Sequence, residues 1–190
     1  MEDELEAALV DATERCFEKY GVAKTSMSHV AAEAEVSRTT LYKRFAKMED
    51  VLQAVFVREF DRFEKRLGRR LASLEDPGAR LIEVVVATAE NIPENAGIAR
   101  LAQGPRTRAE ARALAVGRSA LNERVERMIG EPLDGLERSG RLRAEIDRPE
   151  LIEWIRRLVL AFAVSPQPRG RSAQERRRHV AAFLLPSVCR

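Results

Sequence analysis

The stretch Val36-Ser37-Arg38-Thr39-Thr40-Leu41-Tyr42-Lys43-Arg44-Phe45 decides how the first quarter of this chain folds. Ser37 is a common helix-capping residue, because its hydroxyl can accept a hydrogen bond from an N–H group of the first turn. Leu41 and Phe45 are four residues apart, so they share one face of the helix that Ser37 begins. The polar side chains lie on the other faces: Thr39, Thr40, Tyr42, Lys43 and Arg44. The stretch therefore predicts a short helix, ending near Phe45, with one buried and one polar side.

Two further helices are predicted before this stretch. The first covers residues 3–20, and Gly21 stands where its C-terminal cap belongs. Its apolar residues recur at helical spacing: Leu5, Leu9, Ala12, Cys16 and Phe17. Thr25 or Ser26 can cap a second helix through about residue 34, and residues 35–37 then turn the chain. Three such helices are too small to be stable alone but are sufficient to present the third one to DNA.

Charge is distributed unevenly over these helices. Residues 1–20 carry seven acidic and two basic side chains, whereas residues 21–47 carry five basic and two acidic ones. Positive charge is therefore concentrated where a DNA-reading helix would lie. Threonine hydroxyls and Lys43 can approach base edges, and Tyr42 and Arg44 are better placed to hold phosphates. The acidic start argues against an N-terminal arm that enters the minor groove.

The rest of the chain is also predicted to be helical, which makes an all-α protein of about nine helices. Pro93, Gly97, Gly104 and Pro105 punctuate a short sixth segment, and Pro186 is expected to end the ninth helix. Capping residues and proline place the others as follows: the fourth from residue 48 past 67, the fifth from 77 to about 91, the seventh from about 107 with an interruption near 130–132, the eighth after Asp147, and the ninth after Ser172. We expect a domain over residues 1–47 and a second over 48–190, connected by a helix over 48–72.

Several classes of protein are disfavoured by composition. The longest apolar run, residues 158–164, is far too short to span a bilayer. No apolar segment typical of a signal peptide follows the acidic start, so a cytoplasmic protein is expected. The two cysteines, Cys16 and Cys189, offer neither a disulfide framework nor a metal cluster, and no metal or cofactor is expected. Cys16 is predicted to be a small buried residue.

A wider pattern resembles the TetR family of bacterial regulators. It runs from Phe17-x-x-x-Gly21-Val22-x-x-Thr25-Ser26-Met27-x-x-Val30-Ala31 through the stretch 36–45 and into Glu49-Asp50-Val51. The resemblance implies a homodimer whose N-terminal helices bind a palindromic operator and whose larger helical domain binds a small-molecule effector, more often as a repressor than as an activator. It also implies seven DNA contacts: Ser26, Ser37, Arg38, Thr39, Thr40, Tyr42 and Arg44. Lys43 joins them from its place on the polar side of the third helix.

The chain departs from the family pattern at two positions. Glu35 stands where the family usually has glycine, and a left-handed conformation there would cost on the order of 1 kcal/mol. Met48 replaces a lysine that usually follows the phenylalanine by three residues. Lys47, one position earlier, is the expected substitute for its phosphate contact.

The last two helices carry a candidate dimer interface. Its residues recur at helical spacing: Leu151, Ile155, Leu158, Phe162, Val180, Phe183 and Leu184. The alternative is that this stripe is the core of one chain, but two DNA half-sites require two subunits, which favours the interface. Trp154 could line an effector pocket or simply pack.

Three alternative functions have less support from the sequence. The cluster Arg169, Arg171, Arg176, Arg177 and Arg178 could form a second nucleic-acid surface, although a solvated face is the simpler explanation. An enzyme is disfavoured, because no nucleophile elbow, phosphate-binding glycine loop or metal-ligand pair is present. A helical adaptor that dimerises without DNA would leave the polar side of the third helix without a role.

Overall fold

The computed structural model describes residues 2–94, 108–164 and 172–190. The regular secondary structure of these residues is helical. Residues 95–107, where the sixth segment is predicted, lie outside the described part. The described residues contain one short 3₁₀ turn, Val22–Lys24, and eight α-helices: α1 (Glu2–Tyr20), α2 (Met27–Glu33), α3 (Arg38–Arg44), α4 (Met48–Ala72), α5 (Pro77–Glu94), α6 (Arg108–Arg138), α7 (Arg148–Val164) and α8 (Ala173–Val188). The all-α fold class is confirmed.

These residues fall into two compact units. Residues 2–62 and 108–117 belong to the first unit, and residues 63–94, 118–164 and 172–190 belong to the second. The helix α4 contributes residues to both. The division into domains at residue 47 stays a prediction.

The first unit is built around the apolar faces of α1 to α4. Leu9, Cys16 and Leu41 are fully buried, and Leu5 and Phe17 pack against them as half-buried neighbours. The stripe predicted for the first helix is thus the side that α1 buries. Burying a leucine-sized side chain stabilises a fold by about 1.5–3 kcal/mol, so this small core carries much of the unit's stability.

Ion pairs hold α1 against α2. The Glu33 carboxylate accepts hydrogen bonds from Lys19 Nζ at 2.6 Å and from Arg15 Nε at 2.8 Å. These two hydrogen bonds, the one from Lys19 first, lower the pKa of the Glu33 carboxyl below its ordinary value. Glu33 was not singled out in the sequence, since its partners lie 14 and 18 residues away.

In the second unit, α5 packs against α7 and α8. Its core contains fully buried side chains from four helices: Leu81, Leu133, Leu136, Ile155 and Leu184. The start of α5 lies close to α6 at Gly135, where an added Cβ atom would stand 2.8 Å from Pro77 Cγ. Only glycine allows that approach without a shift.

Two prolines do not end their helices as predicted. The interruption expected near residues 130–132 is wrong, because α6 continues through Pro132 to Arg138. Pro132 and Leu133 are buried, so packing compensates for the lost backbone hydrogen bond. Arg148 supports this region by donating a hydrogen bond to the Gly130 carbonyl at 3.1 Å.

Pro186 likewise lies inside α8, which extends to Val188. The extension is anchored beyond the helix. Val188 is buried, its carbonyl accepts a hydrogen bond from Arg143 N–H at 3.0 Å, and Arg190 N–H donates to the Arg141 carbonyl at 3.0 Å. Contacts distant in sequence thus prolong the helix past a residue that local preference marks as its end.

No helix in the described part of the chain is long and apolar enough to cross a membrane.

Candidate nucleic-acid interface

The orientation of α3 is fixed by its two apolar residues. Leu41 is fully buried and Phe45 nearly so, in one cluster with Leu9, Val30 and Ala31. The opposite side of the helix is exposed to solvent, and its residues are Arg38, Thr39, Tyr42 and Lys43. Residues at positions i, i+1, i+4 and i+5 share one helix face, so these four form a single polar surface, called here the α3 face. It contains two cations and no carboxylate.

Two hydroxyl groups, those of Ser37 and Thr40, form hydrogen bonds at the start of α3. Ser37 Oγ accepts a hydrogen bond from Thr40 N–H at 3.0 Å, and it lies 2.8 Å from Thr40 Oγ1. The predicted cap at Ser37 is therefore present. Thr40 is half-buried and not fully exposed, so Thr39 and Lys43 reach further outward than Thr40 does.

The turn between α2 and α3 shows how Glu35 is tolerated in place of glycine. Glu35 adopts a φ of 55°, the left-handed conformation that the family's glycine would adopt at lower cost. Glu35 N–H donates to the Ala32 carbonyl at 3.2 Å, and Val36 N–H donates to the Ala31 carbonyl at 3.0 Å. This pair of hydrogen bonds is a Schellman motif, which satisfies the carbonyls at the end of α2. Hydrogen bonding and the packing of Val36 against the core thus offset a strain of about 1 kcal/mol.

Ser26 lies at the start of α2. It is half-buried, and its hydroxyl accepts a hydrogen bond from His29 N–H at 3.3 Å. Of the two capping candidates, Ser26 and not Thr25 therefore caps α2. Thr25 is buried and donates instead to the Gly21 carbonyl at 2.9 Å. The exposed rings of Tyr20 and His29 stack beside this turn with centroids 4.6 Å apart. This stack could not be predicted from local sequence, because the two residues lie nine positions apart on either side of a turn.

The last two candidate contacts have different environments. The Arg44 guanidinium pairs with the Glu6 carboxylate of α1, although both side chains keep part of their surface in solvent. Lys47 has an exposed side chain, and its backbone N–H donates to the Asp50 carboxylate at 3.2 Å, at the start of α4. Met48 is half-buried against the core, so it contributes packing where the family has a charge.

Two acidic side chains of α1 pair with arginines of α4. Arg58 pairs with Asp11 and Glu14 at 2.5 Å, and Arg62 pairs with Glu14 at 3.2 Å. The negative charge that the sequence places in α1 is therefore partly compensated within the unit. The α3 face itself carries two cations and no carboxylate, so it is the positive surface of this unit that suits a polyanion.

The seven residues predicted as a dimer interface divide into two groups. Leu151, Ile155, Val180 and Leu184 are buried within the single chain, so they have no surface to offer a second copy, and the core alternative describes them. Leu158 and Phe162 are half-buried, and Phe183 is 67% exposed. Trp154 is 44% exposed and therefore lies outside the core. The helical stripe marked an apolar region correctly, but it did not separate its inner from its outer side.

Two arginines of the cluster, Arg176 and Arg177, pair with carboxylates inside the second unit. Arg176 Nε donates to Glu90 at 2.6 Å, and Arg177 donates to Glu83 at 2.6 and 3.0 Å. Arg169 and Arg171 lie outside the described residues. Ion pairing within the chain is a sufficient explanation for Arg176 and Arg177. Among the described residues, no group of histidine, cysteine, aspartate or glutamate could hold a metal ion.

The helices α2 and α3 and the turn between them form a helix-turn-helix of the kind that DNA-binding regulators use. One side of α3 is buried against the core, and the α3 face on the other side is exposed. Comparisons with known proteins show what the chain is similar to. Residues 9–55 match the family described as "Bacterial regulatory proteins, tetR family". A Mycobacterium tuberculosis protein described as an uncharacterized HTH-type transcriptional regulator is 27% identical over 184 residues, which cover 95% of this chain and 83% of the relative. Residues 9–55 of this chain are therefore similar to the DNA-binding segment of the TetR family, and the chain along most of its length is similar to an HTH-type transcriptional regulator.

Solved structures with a similar fold match most of the chain. A TetR/AcrR-family regulator from Thermobifida fusca matches with a TM-score of 0.65 at 20% identity, covering 95% of this chain and 96% of the other. AibR in complex with isovaleryl coenzyme A and operator DNA matches with a TM-score of 0.60 at 17% identity, covering 96% and 98%. At these identities the likeness concerns the fold alone.

Proposed function

We propose that this protein is a repressor that binds a palindromic operator as a homodimer and is released by a small-molecule effector. The observation that carries the proposal is the α3 face, where two cations and two hydroxyl groups are held outward by the burial of Leu41 and Phe45. A face of this composition suits the major groove, in which base edges offer acceptors and the thymine methyl group.

Roles on this surface follow from exposure. Thr39 and Lys43 extend furthest from the core and are proposed to contact base edges. Arg38 and Tyr42 flank them and are proposed to contact phosphates. The remaining candidates act from the edges of the face. Ser26, Ser37 and Thr40 hold the starts of α2 and α3, while Arg44 and Lys47 supply positive charge at the end of α3.

Homodimerisation is proposed through an apolar surface of α7 and α8. Trp154, Leu158 and Phe162 recur every four residues on one side of α7. The His179 ring contacts Phe162 at 6.1 Å and Phe183 at 5.1 Å between centroids, so the surface continues onto α8. A large exposed aromatic such as Phe183 is typical of a residue that a partner covers. Two copies related by a twofold axis would present two α3 helices to half-sites about 34–36 Å apart.

Effector control is proposed for the second unit. This unit is larger than dimerisation alone requires, and a protein of the same fold, AibR, is described as binding isovaleryl coenzyme A together with operator DNA. An effector that binds better to the form that does not bind DNA must weaken operator affinity by linkage.

The proposal is tested by selecting bound duplexes from a random pool and measuring affinity for the selected site over a range of salt concentrations. We expect a palindromic site, bound by two copies, whose affinity falls steeply as salt rises. Lys43→Gln should weaken binding, whereas Lys65→Gln, which removes the same charge from α4 outside the interface, should not. Recovery of no preferred sequence would overturn the proposal.

A further inference from the structure

Arg44 is the one member of the candidate interface whose side chain the described structure holds in an ion pair. Its guanidinium contacts the Glu6 carboxylate, and the two residues lie 38 positions apart, on α3 and α1. The Arg44 side chain is 42% exposed and that of Glu6 is 32% exposed. Part of the ion pair is therefore exposed to solvent, and a phosphate could reach the Arg44 guanidinium from that side.

Other acidic residues of α1 have a different arrangement. Asp11 and Glu14 pair with Arg58, which is on α4 and only 22% exposed. Those pairs join two helices of the scaffold, away from the α3 face. Glu6 instead pairs with a cation at the end of the helix that the proposed function places on DNA. Its carboxylate and a DNA phosphate would seek the same donor.

We propose that Glu6 is a positioning residue that competes with the DNA backbone for Arg44 and thereby lowers affinity for every duplex alike. The inference rests on the proposed function, since it requires α3 to approach DNA. An arginine that binds a phosphate must first give up its carboxylate partner, and the freed carboxylate then faces a polyanion. Both effects oppose binding and carry no base information. Glu6 thus limits the sequence-independent part of the affinity and leaves more of the discrimination to Thr39 and Lys43.

The test is a double-mutant cycle on DNA affinity with the full chain. Glu6→Gln removes the competing charge and keeps the shape of the side chain. Glu18→Gln is the matched control, because it removes the same charge from α1 twelve residues further along, about 18 Å along the helix axis. We expect Glu6→Gln to bind both the selected site and a scrambled duplex about two- to fivefold more tightly than Glu18→Gln, the size of an exposed ion pair. The gain should shrink at high salt, where exposed charges are screened.

In an Arg44→Gln background, the advantage of Glu6→Gln over Glu18→Gln should shrink, because the contested donor is gone and only the repulsion between the Glu6 carboxylate and the phosphates remains. Thermal unfolding of each variant checks that the fold is intact, and Glu6→Ala serves as a second variant with the same expected sign. Equal affinities of the two glutamine variants, weaker binding by Glu6→Gln, or a gain that is just as large without Arg44 would each overturn the inference. Additive effects in a protein that binds a specific site would overturn this inference alone. Failure of the wild-type chain to bind any duplex would overturn the proposed function together with it.

Discussion

The Glu83 carboxylate of α5 receives two hydrogen bonds from the Arg177 guanidinium of α8, at 2.6 and 3.0 Å. The Glu83 side chain is 6% exposed and that of Arg177 is 36% exposed. Arg70 of α4 lies at 3.5 Å as a weaker second partner. A buried carboxylate is tolerated only when such donors compensate its lost hydration, so this pair links α5 and α8 at the cost of a strict dependence on Arg177.

Arg177→Ala is therefore expected to destabilise the protein by about 2–4 kcal/mol, because it leaves the Glu83 charge buried with only Arg70 near it. Urea unfolding measures the change in the free energy of unfolding. Arg178→Ala, at the exposed neighbouring position, is the control and should change stability by less than about 0.5 kcal/mol. Similar values for the two variants would show that the pair contributes little.

Glu35→Gly is expected to stabilise the first unit. Glu35 has a φ of 55°, and glycine adopts that conformation without the contact between Cβ and the carbonyl oxygen. The relief of strain exceeds the extra entropy of glycine in the unfolded chain, for a net gain of about 0.5–1 kcal/mol. Ala32→Gly, three residues earlier and inside α2, should have the opposite sign, with a loss of about 0.5–1 kcal/mol. Thermal unfolding distinguishes the two, and a loss with Glu35→Gly would contradict the strain argument.

The contribution of the Glu33 carboxylate to the stability of the first unit should be lost in acid. Hydrogen bonds from Lys19 and Arg15 lower the pKa of Glu33 in the folded protein. A lowered folded pKa means that the carboxylate stabilises the fold above its unfolded pKa, about 4.3, and that this contribution is lost as the pH falls through the lower folded pKa. Glu33→Gln should therefore unfold more easily than the wild type at pH 7 and equally easily at pH 2. A difference that persists at pH 2 would assign the effect to packing instead.

Variants of the α3 face should separate affinity from base preference. Tyr42→Ala is expected to weaken binding to the selected site and to scrambled duplexes by similar factors, because a phosphate contact carries no sequence information. Lys43→Ala and Thr39→Ala should in addition change which bases are preferred, at a cost of about 1–3 kcal/mol for the lost base contact. Repeating the site selection with each variant measures both effects. Unchanged sites and affinities in all three would remove α3 from the interface.

Local sequence signals predicted the helix starts well. Ser37 and Ser172 cap α3 and α8 because the deciding hydrogen bonds lie within three residues of each serine. The prolines at 132 and 186 were misjudged for the opposite reason. Burial of Leu133 and Val188 by distant parts of the chain outweighs the local preference for ending a helix.

The candidate site shows the same limit. The pattern of residues 36–45 identified the polar side of α3, since helical spacing alone decides it. It could not reveal that Glu6 holds Arg44, because 38 residues separate them. Nor could the stripe on α7 and α8 show that Ile155 is covered by its own chain while Phe183 is not. Hydrophobic periodicity indicates that a face is buried but not by which chain.

Phe183→Glu is expected to convert the proposed dimer into monomers. Phe183 is 67% exposed and continues the apolar surface of Trp154, Leu158 and Phe162, so a charge there would be buried without a partner when two copies associate. Leu160→Glu is the matched control. Leu160 is 45% exposed, but it lies two residues beyond Leu158 and therefore on another side of α7. Light scattering should give half the mass for Phe183→Glu and an unchanged mass for Leu160→Glu. Because a monomer engages one half-site, Phe183→Glu should also lose affinity for the palindrome far more than for an isolated half-site. If Leu160→Glu dissociates the dimer and Phe183→Glu does not, the interface lies on the other side of α7.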